Sequence, residues 1–139
     1  SDLFLSAFYG ILEPATGHLL YANAGHNRPL WYRAATGALH ELAARGVILG
    51  AFEEITMEEQ RIVIEPDDVL LLYTDGIPEG MNAEGEMMGM QRLAETLRQN
   101  VHRDAPAISQ AIVDAYNRFT AGAEQSDDVT YTVVKRVAE

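Results

Sequence analysis

The spacing of apolar residues changes part-way along the chain. Up to residue 74, short apolar runs alternate with turn segments rich in Pro and Gly, and this pattern predicts β-strands. The predicted strands span residues 3–12, 18–26, 29–34, 38–42, 55–65 and 69–74, and a last one spans 127–137. Because most of these strands are joined by short turns, we expect mainly antiparallel sheets.

One strand differs from the others in having no alternation. Five apolar residues run from Val69 to Tyr73, which predicts a strand covered on both faces. Pro66-Asp67-Asp68, just before it, is interpreted as a turn. The sequence becomes polar immediately after the strand, at Thr74-Asp75-Gly76. A carboxylate at the end of a buried strand therefore needs an explanation.

Helical spacing follows in the last third of the chain. Each of two segments has a single apolar stripe, so each helix should lie against the rest of the protein. The stripes are Met90, Leu93, Ala94, Leu97 and Val101, and then Ile108, Ile112, Ala115, Tyr116 and Phe119, with Asp104 as the expected N-cap of the second helix. Strands followed by a helix pair and a final strand predict an α+β fold and not a βαβ repeat.

Size and composition predict one globular domain over residues 1–139. The chain has 47% hydrophobic residues and no cysteine, so it has neither disulfides nor thiolate ligands. Its longest apolar run is far below the roughly 20 residues of a membrane helix, and it opens with no signal-peptide pattern. We therefore expect a cytoplasmic domain. Because it begins with Ser and enters an apolar segment at once, we also expect it to be cut from a longer protein.

The charge balance excludes some partners. The 21 acidic and 10 basic residues give a net charge of −11, which repels nucleic acid and anionic membranes. Most of these acids are expected to lie on a solvated surface, but some are candidates for metal ligands.

Two acidic motifs lie at predicted strand ends. Asp75-Gly76 follows the buried strand, and Asp127-Asp128 precedes the last one. If these strands are antiparallel neighbours, three carboxylates meet at one rim of the sheet. Packed carboxylates repel each other, and a hard cation that prefers oxygen ligands, Mg²⁺ or Mn²⁺, removes that repulsion. Gly76 would allow a tight bend near the ion.

Plainer interpretations stay open. Taken singly, both acidic motifs are common turn sequences. Gly25-His26-Asn27 is also a turn candidate, and the methionines of residues 81–90 are interpreted as packing residues. The sequence has no G-x-S-x-G, P-loop or HExxH motif. A Ser–His–Asp arrangement stays open, because such groups meet only in space.

Four segments in series resemble a known family. Their order and spacing are similar to those of the catalytic domain of the stage II sporulation protein E type serine/threonine phosphatases, in the metal-dependent protein phosphatase 2C superfamily. The resemblance covers nearly the whole chain. The segments are AFYGILEPATGHLLYANAGHNRPLWY (7–32), RGVILGAF (45–52), DDVLLLYTDGIPEGMNAEGEMMGMQRL (67–93) and EQSDDVTYTVVKR (124–136).

The resemblance implies a fold and a reaction. The fold would be a four-layer αββα sandwich, mainly antiparallel and flanked by helices. The reaction would be hydrolysis of phosphoserine or phosphothreonine on a protein, with two Mn²⁺ or Mg²⁺ ions and a metal-bridging water as nucleophile. Family members often act on anti-sigma-factor antagonists, and many carry sensory or receiver domains upstream.

The resemblance assigns site residues by matching positions of this sequence to the motifs of the family. Asp75 matches one metal-ligand aspartate of the family and Asp127 matches a second. Asp128 matches a neighbouring acidic position, for which the resemblance implies an auxiliary or supporting metal role, and Gly76 is expected to have a supporting role as well. His26 and Asn27 match a loop that lies near the site in the family, and the resemblance implies no defined role for these two residues.

One family motif is not matched. The family has an Asp-Gly motif, supplying a bridging carboxylate, that should lie upstream of Ala7, and Asp2 does not match it. The resemblance therefore implies a domain that lacks its N-terminal third, binds metal weakly by itself and is inactive alone. Exposed sheet edges would then favour a homodimer. Two alternatives follow: a regulatory or protein-binding module of the same fold without catalysis, or a structural domain whose aspartates are turn residues.

Overall fold

A computed structural model describes residues 3–125 and 127–138. The described chain forms two antiparallel sheets, with strand orders β1-β2-β5 and β4-β3-β6-β7, and a pair of helices. In chain order the elements are β1 (Ala7–Glu13), β2 (His18–Ala24), β3 (Leu30–Arg33), β4 (Ala38–Glu41), β5 (Gln60–Val63), β6 (Val69–Tyr73), α1 (Gly89–Asn100), α2 (Ala105–Thr120) and β7 (Tyr131–Lys135). The α+β class and the mainly antiparallel sandwich are confirmed.

Strand β6 is covered on both faces, as its unbroken apolar run predicted. Val69, Leu71 and Tyr73 pack into the core under the helices. Leu70 and Leu72 point the other way, into the core between the two sheets. Since successive side chains of a strand face opposite sides, only an apolar residue at every position satisfies both cores.

The two helices lie on the sheet that contains β6. Their buried residues, among them Leu93, Leu97, Ile108 and Ile112, form one core with the odd-numbered side chains of β6. Asp104 caps α2 by accepting a hydrogen bond from the Ala107 amide at 2.9 Å, as predicted. No helix in the described part of the chain is long and apolar enough to cross a membrane.

The first sheet has a face that the described helices do not cover. Tyr9 and Ile11 point outward from β1 and are 64% and 54% exposed. Because both described helices pack on the other sheet, residues 3–125 and 127–138 form three layers instead of the four that the family resemblance implied.

Three predicted strands begin four or five residues before the observed ones. Residues 3–6 contribute only an isolated bridge from Leu5 to Leu49. Residues 55–59 precede β5, and the Glu58 amide there donates to the Arg45 carbonyl at 2.9 Å. Residues 127–130 precede β7, since Asp127 and Asp128 lie in a loop. These residues were predicted as strand because they are apolar or alternate between apolar and polar, although they have no regular hydrogen-bonded partners in a sheet.

Candidate metal centre at the ends of two strands

The end of β6 and the start of β7 lie side by side. The two strands pair antiparallel, with Tyr73 opposite Tyr131. The pairing continues for one more residue, because the Thr74 amide donates to the Thr130 carbonyl at 3.0 Å. The predicted neighbourhood of these two strands is thus confirmed, and it brings the segments of Asp75 and Asp128 to the same rim.

Gly76 is in direct contact with the β7 side of this rim. A Cβ atom added to Gly76 would lie 2.0 Å from the Asp128 carbonyl oxygen and 2.8 Å from its carbonyl carbon. No side chain fits there, so glycine is what lets the turn after β6 approach the loop before β7.

The loop after β2 is fixed by a buried amide. Asn23 is 3% exposed, and its Oδ1 accepts from the His26 amide at 2.7 Å while its Nδ2 donates to the His26 carbonyl at 3.1 Å. Gly25 takes a φ of +69°, which few other residues adopt. The Gly25-His26-Asn27 turn predicted from sequence is therefore a rigid loop.

This loop contacts the candidate site through Asn27. Its Nδ2 donates a hydrogen bond to Oδ1 of Asp75 at 2.6 Å. The other oxygen of Asp75, Oδ2, receives no hydrogen bond from the described residues. Asp75 is exposed, so this second oxygen is available to a ligand.

The three aspartates of the two motifs do not form a ready-made set of metal ligands in the described residues. No group of three or more His, Cys, Asp or Glu side chains within residues 3–125 and 127–138 is arranged to hold a metal ion. The carboxylates have other partners: Asp75 accepts from Asn27, and Oδ1 of Asp127 accepts from the Asp128 amide at 2.8 Å. Like charges at one rim repel, and Asp75 and Asp127 each accept a hydrogen bond from an N–H group.

A cleft opens beside Asp75 on the side away from β7. Its volume is about 550 Å³, and its charged residues are Arg28, Glu41, Asp75 and Glu79. Arg28 and Glu41 form an exposed ion pair at 3.8 Å. The other lining residues are His26, Asn27, Tyr73, Pro78, Met87, Gly89 and Met90, so Asp127 and Asp128 are outside the cleft wall.

Tyr73 lines this cleft together with the acids Glu41 and Asp75. Burial raises its pKa to about 12, and the negative charges of Glu41 and Asp75 add to the effect. The Tyr73 phenol therefore stays neutral at alkaline pH values at which a free tyrosine ionises. Sequence analysis placed Tyr73 only in the buried strand, and it gave no signal for Arg28 or Glu41 as neighbours of Asp75.

Comparison with known protein families shows to which family the chain belongs. The sequence profile of the family described as Stage II sporulation protein E (SpoIIE) matches residues 1–137. The chain belongs to the SpoIIE family.

Two relatives of this SpoIIE-family chain and one solved structure illustrate the similarity. The chain is 31% identical over 134 residues to protein IcfG of Synechocystis sp., covering 96% of this chain and 21% of IcfG. It is 24% identical over 138 residues to the phosphoserine phosphatase RsbU of Bacillus subtilis, covering 98% of this chain and 40% of RsbU. The chain thus spans less than half of each relative's length.

The fold of a SpoIIE phosphatase domain is also shared. The Bacillus subtilis SpoIIE phosphatase domain presoaked with Mn superposes with a TM-score of 0.73 at 17% identity, over 96% of this chain and 57% of that one. The family resemblance inferred from four sequence segments is confirmed, together with the phosphatase 2C type of fold.

The candidate ligand atoms at the rim are oxygens, which is the element that a hard cation prefers. Asp75, Asp127 and Asp128 supply oxygens, which Mg²⁺ and Mn²⁺ prefer. The free Oδ2 of Asp75 is one such donor, and the described residues contain no group of three or more candidate ligands around it. The residues fit the type of ion expected for the family, while the described chain supplies only part of a coordination shell.

Proposed function

We propose that this chain is the metal-binding part of a protein phosphatase that hydrolyses phosphoserine or phosphothreonine. The observation that carries the proposal is the pairing of β6 with β7, which puts the Asp75 turn against the Asp128 backbone beside an open cleft. Family membership supports the same reaction class, because RsbU, a relative, is named a phosphoserine phosphatase.

Each rim residue has a distinct part in this proposal. Asp75 and Asp127 would hold Mn²⁺ or Mg²⁺, with Asp128 as an auxiliary acid. When bound, such ions supply a nucleophilic water at neutral pH and neutralise the phosphoryl oxygens. Gly76 allows the two strand ends to approach, and Asn27 holds Oδ1 of Asp75 so that Oδ2 faces the ligand. His26 takes part through its backbone contacts with Asn23.

The substrate and setting are the finer part of the proposal. We infer a regulatory phosphoprotein as substrate, with an anti-sigma-factor antagonist as the leading class. The reaction would occur in the cytoplasm, under the control of a sensory or receiver domain upstream in the parent chain. An assay against a panel of phosphorylated antagonist proteins tests this inference separately from the chemistry.

The chemistry is tested by phosphate release from a phosphoserine peptide with and without Mn²⁺. The assay compares residues 1–139 with a version extended upstream in its parent reading frame, each also as Asp75→Asn and Asp127→Asn. We expect Mn²⁺-dependent release from the extended version, lost by about a hundredfold or more in both of its variants, and little or no release from residues 1–139 alone. Release that does not depend on metal, or variants as active as the wild type, would refute the proposal.

One observation favours a second candidate function. Because the described residues contain no three-ligand group, the fold could serve as a regulatory, protein-binding module without catalysis. In that case the extended protein is inactive and Mn²⁺ produces no thermal shift. The two functions therefore separate on the same samples.

A further inference from the structure

The two helices form an open groove that continues from the cleft beside Asp75. We call it the α1–α2 groove. Its volume is about 1040 Å³. It is lined by Met87, Met88, Gly89, Met90, Gln91, Arg92, Glu95, Thr96, Ala115, Arg118 and Phe119.

Three residues line both the groove and the cleft. Met87, Gly89 and Met90 belong to each of them. A peptide segment whose phosphorylated residue enters the cleft beside Asp75 can therefore reach the α1–α2 groove by passing over these three shared residues. The groove is placed to contact residues that flank the phosphorylated one.

The groove is positively charged in a protein that is strongly negative. Two arginines, Arg92 and Arg118, and one acid, Glu95, line it, whereas the whole chain has a net charge of −11. The ion pairs found among the described residues, Arg28–Glu41 and Arg45–Glu58, involve neither groove arginine. Arg118 is exposed and has no partner in the described residues, so its charge is available to an anionic ligand.

The apolar side of the groove is exposed but held in place. Met87 is 50% exposed, and methionine side chains adapt their shape to varied apolar partners. Arg92 holds the backbone of the methionine segment in place, because its Nη1 donates to the carbonyls of Met87 and Met88, both at 3.0 Å. The Arg92 guanidinium also lies over the Phe119 ring, 4.7 Å from its centroid. An interpretation of the methionines as packing residues holds for buried Met88 but not for Met87.

We propose that the α1–α2 groove docks an acidic segment, carrying an apolar side chain, of the phosphoprotein substrate. This inference rests on the proposed function, since it places the phosphorylated residue of the same segment beside Asp75. Arg118 contacts the acidic side chain and Met87 the apolar one. Electrostatic complementarity of this kind selects among partners and speeds their encounter.

The test measures binding of two fluorescein-labelled phosphoserine peptides by fluorescence anisotropy. They differ only in the flank, which alternates Glu and Leu in one and Lys and Leu in the other. We expect the Glu/Leu peptide to bind more tightly, and Arg118→Glu to weaken it by about three- to tenfold. Met87→Ser should weaken it as well.

Arg98 provides the matched control. Like Arg118 it is an exposed arginine in the last turn of a helix, but it does not line the groove. Arg98→Glu makes the same charge change with the same effect on a helix end, so we expect it to leave peptide affinity within about twofold of the wild type. Equal weakening by both variants means a non-specific charge effect and would overturn the docking proposal.

A second measurement separates this inference from the proposed function. Hydrolysis of p-nitrophenyl phosphate by the version extended upstream reports on the chemistry alone, because this substrate has no flanking residues, and it should be unchanged in Arg118→Glu. If hydrolysis fails but the Glu/Leu peptide binds through Arg118, docking stands and the phosphatase proposal falls. Failure of the Glu/Leu peptide to bind, or its preference for the Arg118→Glu variant, would overturn docking whatever the hydrolysis result.

Discussion

Asn27 and Asp75, 48 positions apart in the sequence, are joined by a 2.6 Å hydrogen bond from Nδ2 to Oδ1. The amide N–H donates to one carboxylate oxygen of Asp75, so it holds that oxygen towards the loop and leaves the other one free. Groups that hold a metal ligand from behind commonly set its orientation. Asn27 is thus a positioning residue of the proposed metal centre.

Removal of this amide should weaken metal binding more than folding. We expect Asn27→Ala to lower Mn²⁺ affinity by about tenfold, because Asp75 loses its fixed orientation. Isothermal titration with Mn²⁺ measures the effect, and Asn117→Ala, on the exposed side of α2, is the control. Equal Mn²⁺ affinity in Asn27→Ala and the wild type would rule out the positioning role.

The contact between Gly76 and Asp128 predicts a stability effect. Gly76→Ala puts a methyl group 2.0 Å from the Asp128 carbonyl oxygen, so the two strand ends must separate. We expect a loss of about 1–3 kcal/mol in the free energy of unfolding, measured in urea. Gly85→Asn is the control, since nothing lies within 4 Å of the Cβ position there and Asn tolerates its φ of +79°. Identical midpoints for Gly76→Ala and the wild type would contradict the close approach.

The raised pKa of Tyr73 predicts an alkaline loss of stability. The pKa is about 12 in the fold, against about 10 in the unfolded chain. Between these values the unfolded chain loses the proton and the folded one keeps it, so stability falls as pH rises through the window. We expect Tyr73→Phe to remove about 1–3 kcal/mol of the fall between pH 10 and 12.

Urea unfolding at pH 8, 10 and 11.5 checks this expectation. Tyr21, whose pKa burial also raises, is present in both proteins and contributes equally to their alkaline loss. The difference between the two curves therefore isolates Tyr73. Parallel curves for Tyr73→Phe and the wild type would mean that Tyr73 ionises normally in the fold.

A buried acid in the turn before β6 predicts a further stability effect. Asp68 is 1% exposed and accepts hydrogen bonds from Trp31 Nε1 at 3.1 Å and from the amides of Ala34 and Glu65, both at 2.9 Å. Asp68→Asn replaces one acceptor with a donor facing N–H groups. We expect a loss of about 2–4 kcal/mol in thermal or urea unfolding, against little change for the exposed neighbour in Asp67→Asn.

Local patterns predicted most of the fold. The unbroken apolar run of β6, the stripes of α1 and α2 and the Asp104 cap depend on residues close in sequence, and the structure confirms each of them. Strand limits were less predictable, because composition does not say where ladder partners end. Residues 55–59 are an example: they resemble a strand but bind the Arg45 segment instead.

For the candidate site, the sequence indicated which strand ends come together but not which hydrogen-bond partners their side chains have. The antiparallel pairing of β6 and β7 was a hypothesis, because two helices separate these strands in the chain, and the structure confirms it and brings the segments of Asp75 and Asp128 to one rim. The partners of the carboxylates, Asn27 for Asp75 and a local amide for Asp127, depend on side-chain orientation that no spacing rule gives. For the same reason the turn at Asp67-Asp68 was predicted, but the burial of Asp68 was not.

The central claim is that the ends of β6 and β7 together bind a divalent cation. Its most direct test is a Mn²⁺ titration, followed by the electron paramagnetic resonance signal of free Mn²⁺, on the chain extended upstream and on its variants. We predict that Asp75→Asn and Asp127→Asn each weaken binding by about tenfold or more, while Asp114→Asn, the same charge change on the exposed side of α2, binds as the wild type does. Equal Mn²⁺ affinity in all four proteins would contradict the claim.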